Sequence, residues 1–445
     1  MKNYPKKVRK ILHSIISDMA KNPWLYAKHP GKDFTRKRKL PFEKTISTLI
    51  CMGGGTLNKE LLEQFKFDPS IATSSAFLQQ RDKLLPEALD YLLHEFTRTA
   101  ARPTTYHNYR LLAVDGSDIQ IPTDPSDPKT YFPPAPTRWE MNLLHIDAMY
   151  DLCSNLYVDT IVRGKRGFSE YSALIKMIDR WDSDDPAIII ADRGYESYNV
   201  FAHIQEKGCY FLIRIKDIGS PGIIAATKVP NTDEFDIFND LLLTRKQTNK
   251  VKKLFKENPE KYRYISSGSP FDFLDLHTKL FYSMQFRIVR FQIAPGVYEA
   301  VATNLPTAQF PPDEIKKLYH MRWGIETSFR HLKHTLGLLN FHSQKTEYII
   351  QEIYAKMIMY NFCEMITSHV VIQERNRKYR YQVNFSAAVL ICRQFLRQLV
   401  TPSSVESLIR KYITAIVPER SRPRYRQREF RIRFVYRIAK FLSLV

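Results

Sequence analysis

Two short apolar runs limit the folds open to this 445-residue chain more than any other feature. Leu111-Leu112-Ala113-Val114 leads straight into Asp115, and Ile188-Ile189-Ile190-Ala191 leads straight into Asp192. Apolar runs without polar alternation suit strands buried on both faces, and such strands sit in sheets covered by helices. Each acid is therefore expected at the end of a buried strand, where a carboxylate is costly unless it has a partner or a task. Capping of the turn behind, at Asp115-Gly116 and Asp192-Arg193-Gly194, is the plainer alternative for either acid taken singly.

Charge narrows the partner. The chain carries 67 Lys and Arg against 46 Asp and Glu, a formal net charge of +21. Such an excess favours a polyanion, because each phosphate neutralised releases condensed counterions; nucleic acid fits best, although ribosome-associated and membrane-surface proteins are also basic. Five cysteines, odd in number and never in a C-x-x-C pair, read as reduced buried thiols of a cytoplasmic protein. No apolar run reaches the length of a membrane span, and the basic start MKNYPKKVRK continues into amphipathic sequence, unlike a signal peptide.

The pattern divides the chain into five stretches. Residues 1–105 read as a separate helical, DNA-binding module, with apolar spacing at Leu85, Leu89, Leu92 and Phe96 and a basic cluster Arg36, Lys37, Arg38 and Lys39. Residues 106–215 alternate strands with helices: Leu111–Val114, Leu143–Met149, Leu156–Val162, helix Glu170–Trp181, Ile188–Ala191 and helix Ser197–Glu206, then the strand Cys209–Ile215. That order predicts a mixed α/β sheet flanked by helices. Residues 216–305 look like a β-rich insertion, not a continuation of the sheet, with a basic patch at Lys250, Lys252, Lys253 and Lys256. In 306–375 a helix spans Pro311 to Leu339, started by Pro312-Asp313-Glu314 and stopped near Gly337, with a second long helix from Thr346 to about Val371. Residues 376–445 form a helical, basic C-terminal region, where nine Lys or Arg between 420 and 440 face only Glu429; this tail is either disordered or a DNA-contacting arm.

The helix at 311–339 carries the next signal. At roughly 100° per residue, Tyr319, Arg322, Glu326 and Lys333 fall within about a 60° arc, with Trp323 and Arg330 beside them. Leu318, Met321, Ile325, Phe329, Leu332 and Leu336 make an apolar face centred about 90° away. An exposed ridge with an Arg322–Glu326 ion pair would explain the charges but has little use for the rings of Tyr319 and Trp323. Were Glu326 to meet Asp115 and Asp192, three carboxylates would repel and need cations to stay ionised. Two Mg²⁺ ions, with Mn²⁺ as a substitute, would satisfy them and clamp the oxygens of an in-line phosphoryl displacement. Arg322 would then hold a phosphate bidentately and Lys333 as a point charge.

The pattern Y-x2-R-x3-E-x6-K at Tyr319, Arg322, Glu326 and Lys333 resembles the signature of the DDE transposases of the insertion sequence four family. VDGSDI around Asp115 and ADRGY around Asp192 resemble the family's two aspartate blocks, in the same order and with a long insertion before the glutamate. The similarity covers roughly residues 110–340. It implies a ribonuclease H-like core in which Asp115, Asp192 and Glu326 are catalytic and bind the metals. Tyr319, Arg322 and Lys333, with Arg330 nearby, would hold DNA phosphates. It also implies a flipped base stacked on an aromatic platform, for which Trp323 and Tyr298 are the candidates; relatives often carry tryptophan where Tyr298 stands, and Tyr298 equally suits an ordinary strand position. The implied activity is cut-and-paste transposition of a bacterial element by a DNA-bound homodimer: cleavage at terminal inverted repeats, hairpin formation and opening, then joining to target DNA. A metal-dependent nuclease on the same core, or a catalytically silent DNA-binding descendant, are the rivals. His331, His334 and His342 lack a matching Cys or acidic ligand for zinc. His145, Asp118, Asp147 and Asp151 read as core, strand and turn residues, and Arg193 suits an ion pair as well as a phosphate.

Overall fold

The computed structural model describes residues 4–36, 39–167, 169–275, 280–373 and 378–417. Lys37, Arg38 and the basic stretch 420–440 lie outside the described residues.

Five helices open the chain: α1 (Tyr4–Lys21), α2 (Phe42–Cys51), α3 (Leu57–Gln64), α4 (Ser74–Arg81) and α5 (Glu87–Ala100). Thr56 and Thr73 start α3 and α4 by accepting the Lys59 and Ala76 N–H groups, which would otherwise go unpaired. Val8, Leu12, Ile15, Ile16 and Met19 recur every three or four residues on α1, so one stripe faces inward.

Ten strands form one sheet: β1 (Arg110–Ile121), β2 (Tyr131–Phe132), β3 (Met141–Asp151), β4 (Leu156–Gly164), β5 (Ala187–Ala191), β6 (Tyr210–Ile215), β7 (Phe235–Thr244), β8 (Tyr262–Tyr264), β9 (Tyr282–Ala294) and β10 (Val297–Thr303). Helices α6 (Glu170–Arg180) and α7 (Tyr198–Glu206) flank β5 in sequence. The strands β4, β3 and β1 run antiparallel to their neighbours, and β1, β5 and β6 run parallel. The order β4-β3-β1-β5-β6 is the ribonuclease H-like arrangement that the sequence led us to expect. Alternate residues serve opposite faces: Leu112, Val114, Ile189 and Ile213 pack in one apolar cluster, and Leu111, Ile188, Ile190 and Leu212 in another. That is why these runs show no polar alternation.

Two expectations are corrected. Residues 216–305 do continue the sheet: β10 pairs antiparallel with β6, β9 with β10, β7 with β9 and β8 with β7. The edge of β6 needs partners for its N–H and C=O groups, and β10 supplies them. Nor are the first five helices separate. Their apolar stripes share one core with Ile119, Ile121, Leu144 and Ile146 of the sheet and with the long helix α11.

The insertion also holds α8 (Asn249–Glu257), and five helices follow it among the described residues. The expected helix 311–339 is segmented into α9 (Pro312–Met321) and α10 (Trp323–Arg330), with a tightened turn at Arg322 and a wide turn over His331–Thr335. In the wide turn Leu336 N–H reaches back five residues to the His331 carbonyl at 3.0 Å, and Gly337 ends the segment at φ 77°. Then come α11 (Thr346–Thr367), apolar on all sides and the pillar of the helical layer, α12 (Phe385–Leu396) and α13 (Pro402–Lys411).

Candidate active site

Asp115 is not at a strand end or in a turn. β1 runs on for six residues, to Ile121, and Asp115 lies opposite Ala148 in the pairing with β3. Asp192 does follow the end of β5, where its Oδ1 accepts the Gly194 N–H at 2.8 Å. Val114 pairs with Ala191, so the two acids are the next residues on adjacent parallel strands. Glu326 comes from α10, which packs on β1 through buried Ile325.

Burial pushes the Asp115 carboxyl up to about 6, against the Gly116 N–H and the Arg322 charge, while the negative charges of Asp192 and Glu326 push it further up. The three acids are therefore electrostatic neighbours. They have not converged: Glu326 Oε1 accepts from Arg322 Nη2 at 2.7 Å, and among the described residues no three His, Cys, Asp or Glu side chains are grouped to hold a metal ion.

The remaining stripe residues surround this point. Arg322, 7% exposed, lies against the rings of Tyr319 and Trp323 at 5.8 and 5.3 Å, and its Nε has no hydrogen-bond partner among the described residues. Tyr319 is 4% exposed; burial pushes its hydroxyl up to about 12, and among the described residues that hydroxyl also has no hydrogen-bond partner. Lys333 sits in the wide turn and reaches the Asp118 carbonyl at 3.4 Å; burial lowers its proton affinity against the pull of Asp118 and Asp115. Arg330 is exposed one turn beyond Glu326.

The two aromatic candidates border different clefts. Trp323, 54% exposed, lines one of about 530 Å³ with Tyr319, Phe291, Ile293 and Lys316. Tyr298 lines a smaller one, about 110 Å³, with Arg193, Arg214 and Lys216, and Glu299 walls both. The Tyr298 ring carries the Arg290 guanidinium at 4.3 Å, and its hydroxyl donates to Asp233 at 3.2 Å.

Sequence reasoning undervalued one group. His145 sits beside Asp118 through Nδ1 and has Asp147 and Glu170 at 3.3 and 3.4 Å from Nε2, while Arg163 pairs with Asp147 and Lys165 with Asp118 at 3.1 Å. Burial opposes its charge, but the bonds to Asp118 and Asp147 prevail and push the imidazole up to about 9. The signal was present: His145, Asp147 and Asp151 recur at alternate positions of an otherwise apolar strand. A Cβ on Gly116 would lie 2.5 Å from His145 Nε2, so the glycine next to Asp115 is a close-approach position. Two of the three histidines weighed for zinc are occupied otherwise: His342 pairs with Glu352 at 3.0 Å and His331 packs on Phe385 at 4.6 Å.

Residues 106–362 match the family described as "Transposase DDE domain". No curated protein matches the sequence. Among solved structures, the chain is similar to a piggyBac transposase in a synaptic complex with hairpin DNA, at 10% identity and a TM-score of 0.42 over 92% of this chain and 81% of that one.

Proposed function

The chain belongs to the DDE transposases, and from that premise we propose that it moves its own element by cut and paste, as a homodimer on terminal inverted repeats, in the manner of the insertion sequence four family. The observation that carries this reading is that Asp115 on β1 feels the charges of both Asp192, which follows the neighbouring parallel strand, and Glu326, from the helix packed on β1.

The donor set suits Mg²⁺ by its chemistry: three carboxylates, one of them with proton affinity raised by burial and by the charges of the other two. Asp115, Asp192 and Glu326 would hold two such ions, which would activate the attacking oxygen and neutralise the leaving one. The chain's own cations and hydroxyls do the positioning. The Tyr319 hydroxyl and Arg322 Nε, without a hydrogen-bond partner among the described residues, are donors awaiting an acceptor, and a backbone phosphate supplies oxygens for both. As Arg322 turns to that phosphate it gives up Glu326, which is then free to join the aspartates. Lys333, and Arg330 further out, add charge along the same strand. Trp323 and Tyr298 line the clefts in which an unstacked base would rest. In the chemistry so arranged, water attacks the end phosphate and the element's 3′ hydroxyl leaves; that hydroxyl attacks a phosphate of the opposite strand, closing a hairpin and releasing the flanking DNA's 3′ hydroxyl; water attacks the hairpin phosphate and releases the 3′ hydroxyl again; and that hydroxyl attacks a target phosphate, displacing a 3′ hydroxyl of the target strand.

The test supplies Mg²⁺ or Mn²⁺, a duplex with the DNA flanking the gene, and a target plasmid. A hairpin and a joined product are expected, and Glu326→Ala should abolish both while the protein stays folded. Nicking without hairpin or joining would make the chain a nuclease, and full activity in Glu326→Ala would end the reading.

A further inference from the structure

The hairpin of β1 and β3 ends in an aromatic side chain that the protein does not use for itself. Trp139 is 88% exposed, more than any other large apolar side chain described. Its loop is well held. Ala135 and Arg138 close a backbone bridge with bonds of 2.8 and 3.0 Å, and Pro133, Pro134 and Pro136 restrict the turn. Two guanidinium groups are fixed at its base against Phe132: Arg138 at 5.0 Å, bonded to the Pro133 carbonyl, and Arg166 at 5.9 Å, bonded to the Tyr131 carbonyl. Among the described residues neither is paired with a carboxylate.

The location matters as much as the chemistry. The last β1–β5 pair is Val114 with Ala191, and beyond it β1 continues with only β3 beside it as far as Ile121 opposite Asn142. The paired strands pack on the first helices, and the loop beyond them lies at the end of the sheet where Asp192 emerges. Six residues at about 3.3 Å each put the Ile121–Asn142 pair roughly 20 Å beyond Asp115, a span of about six base pairs of duplex, and Trp139 lies in the loop past that pair.

We propose that Trp139 stacks into the base-pair column of DNA lying across the three acids, with Arg138 and Arg166 on the adjoining phosphates. An exposed indole on a loop whose base carries two guanidinium groups without a carboxylate partner among the described residues matches a ligand that offers flat π-faces and phosphates together. The contact carries no base-edge hydrogen bonds, so it acts on any sequence and bends or unstacks the duplex. This rests on the transposase reading of the acids.

The test scans 2-aminopurine through a duplex carrying the DNA that flanks the gene, bound to the full-length chain. A fluorescence rise is expected at one position, about six or more base pairs from the cleaved phosphate. Trp139→Ala should abolish it and weaken DNA binding about tenfold, with an unchanged melting temperature, and Trp139→Phe should restore most of both. No rise at any position, or a rise and affinity untouched by Trp139→Ala, overturns the proposal. Loss of joining in Glu326→Ala, run in parallel, shows whether the site reading stands when the hairpin proposal falls.

Discussion

Gly116→Ala tests the site's packing most directly. The new methyl carbon would stand 2.5 Å from His145 Nε2 and 2.8 Å from Cε1, whereas ordinary contact begins near ~3.4 Å, so something must move by about 0.9 Å. The imidazole has little freedom to do so, since Asp118 engages one ring nitrogen and Asp147 and Glu170 flank the other. The strand must yield instead, at an overpacking cost of about 1–3 kcal/mol. Asp115 moves with it, and a displacement approaching 1 Å costs about 100-fold in rate. Urea unfolding would measure the first effect and the rate of strand joining the second. His145→Ala alone should destabilise by about 3–5 kcal/mol, because it leaves buried Asp147 with one partner fewer. The double variant should cost less than the two together by about 1–3 kcal/mol, since the clash is gone. Costs that add within about 0.5 kcal/mol, or a Gly116→Ala protein as stable and active as the parent, would refute the geometry.

Other outcomes follow from the charges. Burial raises Asp115 to about 6, so its ionised form opposes folding: the protonated acid supports the fold at low pH and that support is lost as pH rises through 6. With metal removed by chelator, Asp115→Asn should therefore be more stable than the parent at pH 7.5 by about 1–3 kcal/mol, no more stable at pH 4, and inactive; equal stability at both pH values would contradict this. His94 ties α5 to the sheet through Asp159, and although burial opposes its charge, Asp159 and Asp90 raise it to about 10. Its contribution, about 2–4 kcal/mol, should be present below about pH 6.5 and fade as pH rises through the folded value, with His94→Asn flattening that slope in urea melts. Arg322→Lys keeps a charge near Glu326 but not the planar fork; strand cleavage should fall at least tenfold without loss of fold, and parental rates would remove Arg322 from the phosphate role.

Much of the core was legible because it is written in local chemistry. Apolar runs without alternation reported strands covered on both faces, and β1, β5, β6, α6 and α7 lie where that pattern put them. The helix start at Pro312 and its stop at Gly337 were equally local signals. The breaks inside that helix were not. The turn at Arg322 and the wide turn carrying Lys333 answer to packing on β1 and α11, and helical periodicity carries no trace of them. His145 illustrates the same limit: its polarity in an apolar strand was visible, but its partners were not, because Asp118 stands opposite it only once the register of β1 and β3 is set.

The amino-acid order alone determined which groups the protein brings to its chemistry: two aspartates after apolar runs, one glutamate among cations and rings on a helix, and a large excess of positive charge. Tertiary structure decided how they are held. It ran β1 on past Asp115 into a hairpin packed on the first helices, joined β10 to the edge of β6, and merged the first helices into the core around α11. The division has a physical cause. Burial and helical periodicity depend on neighbours within a turn or a pleat, whereas strand register, edge pairing and side-chain partners depend on segments that are distant in the chain and meet only when the whole core closes.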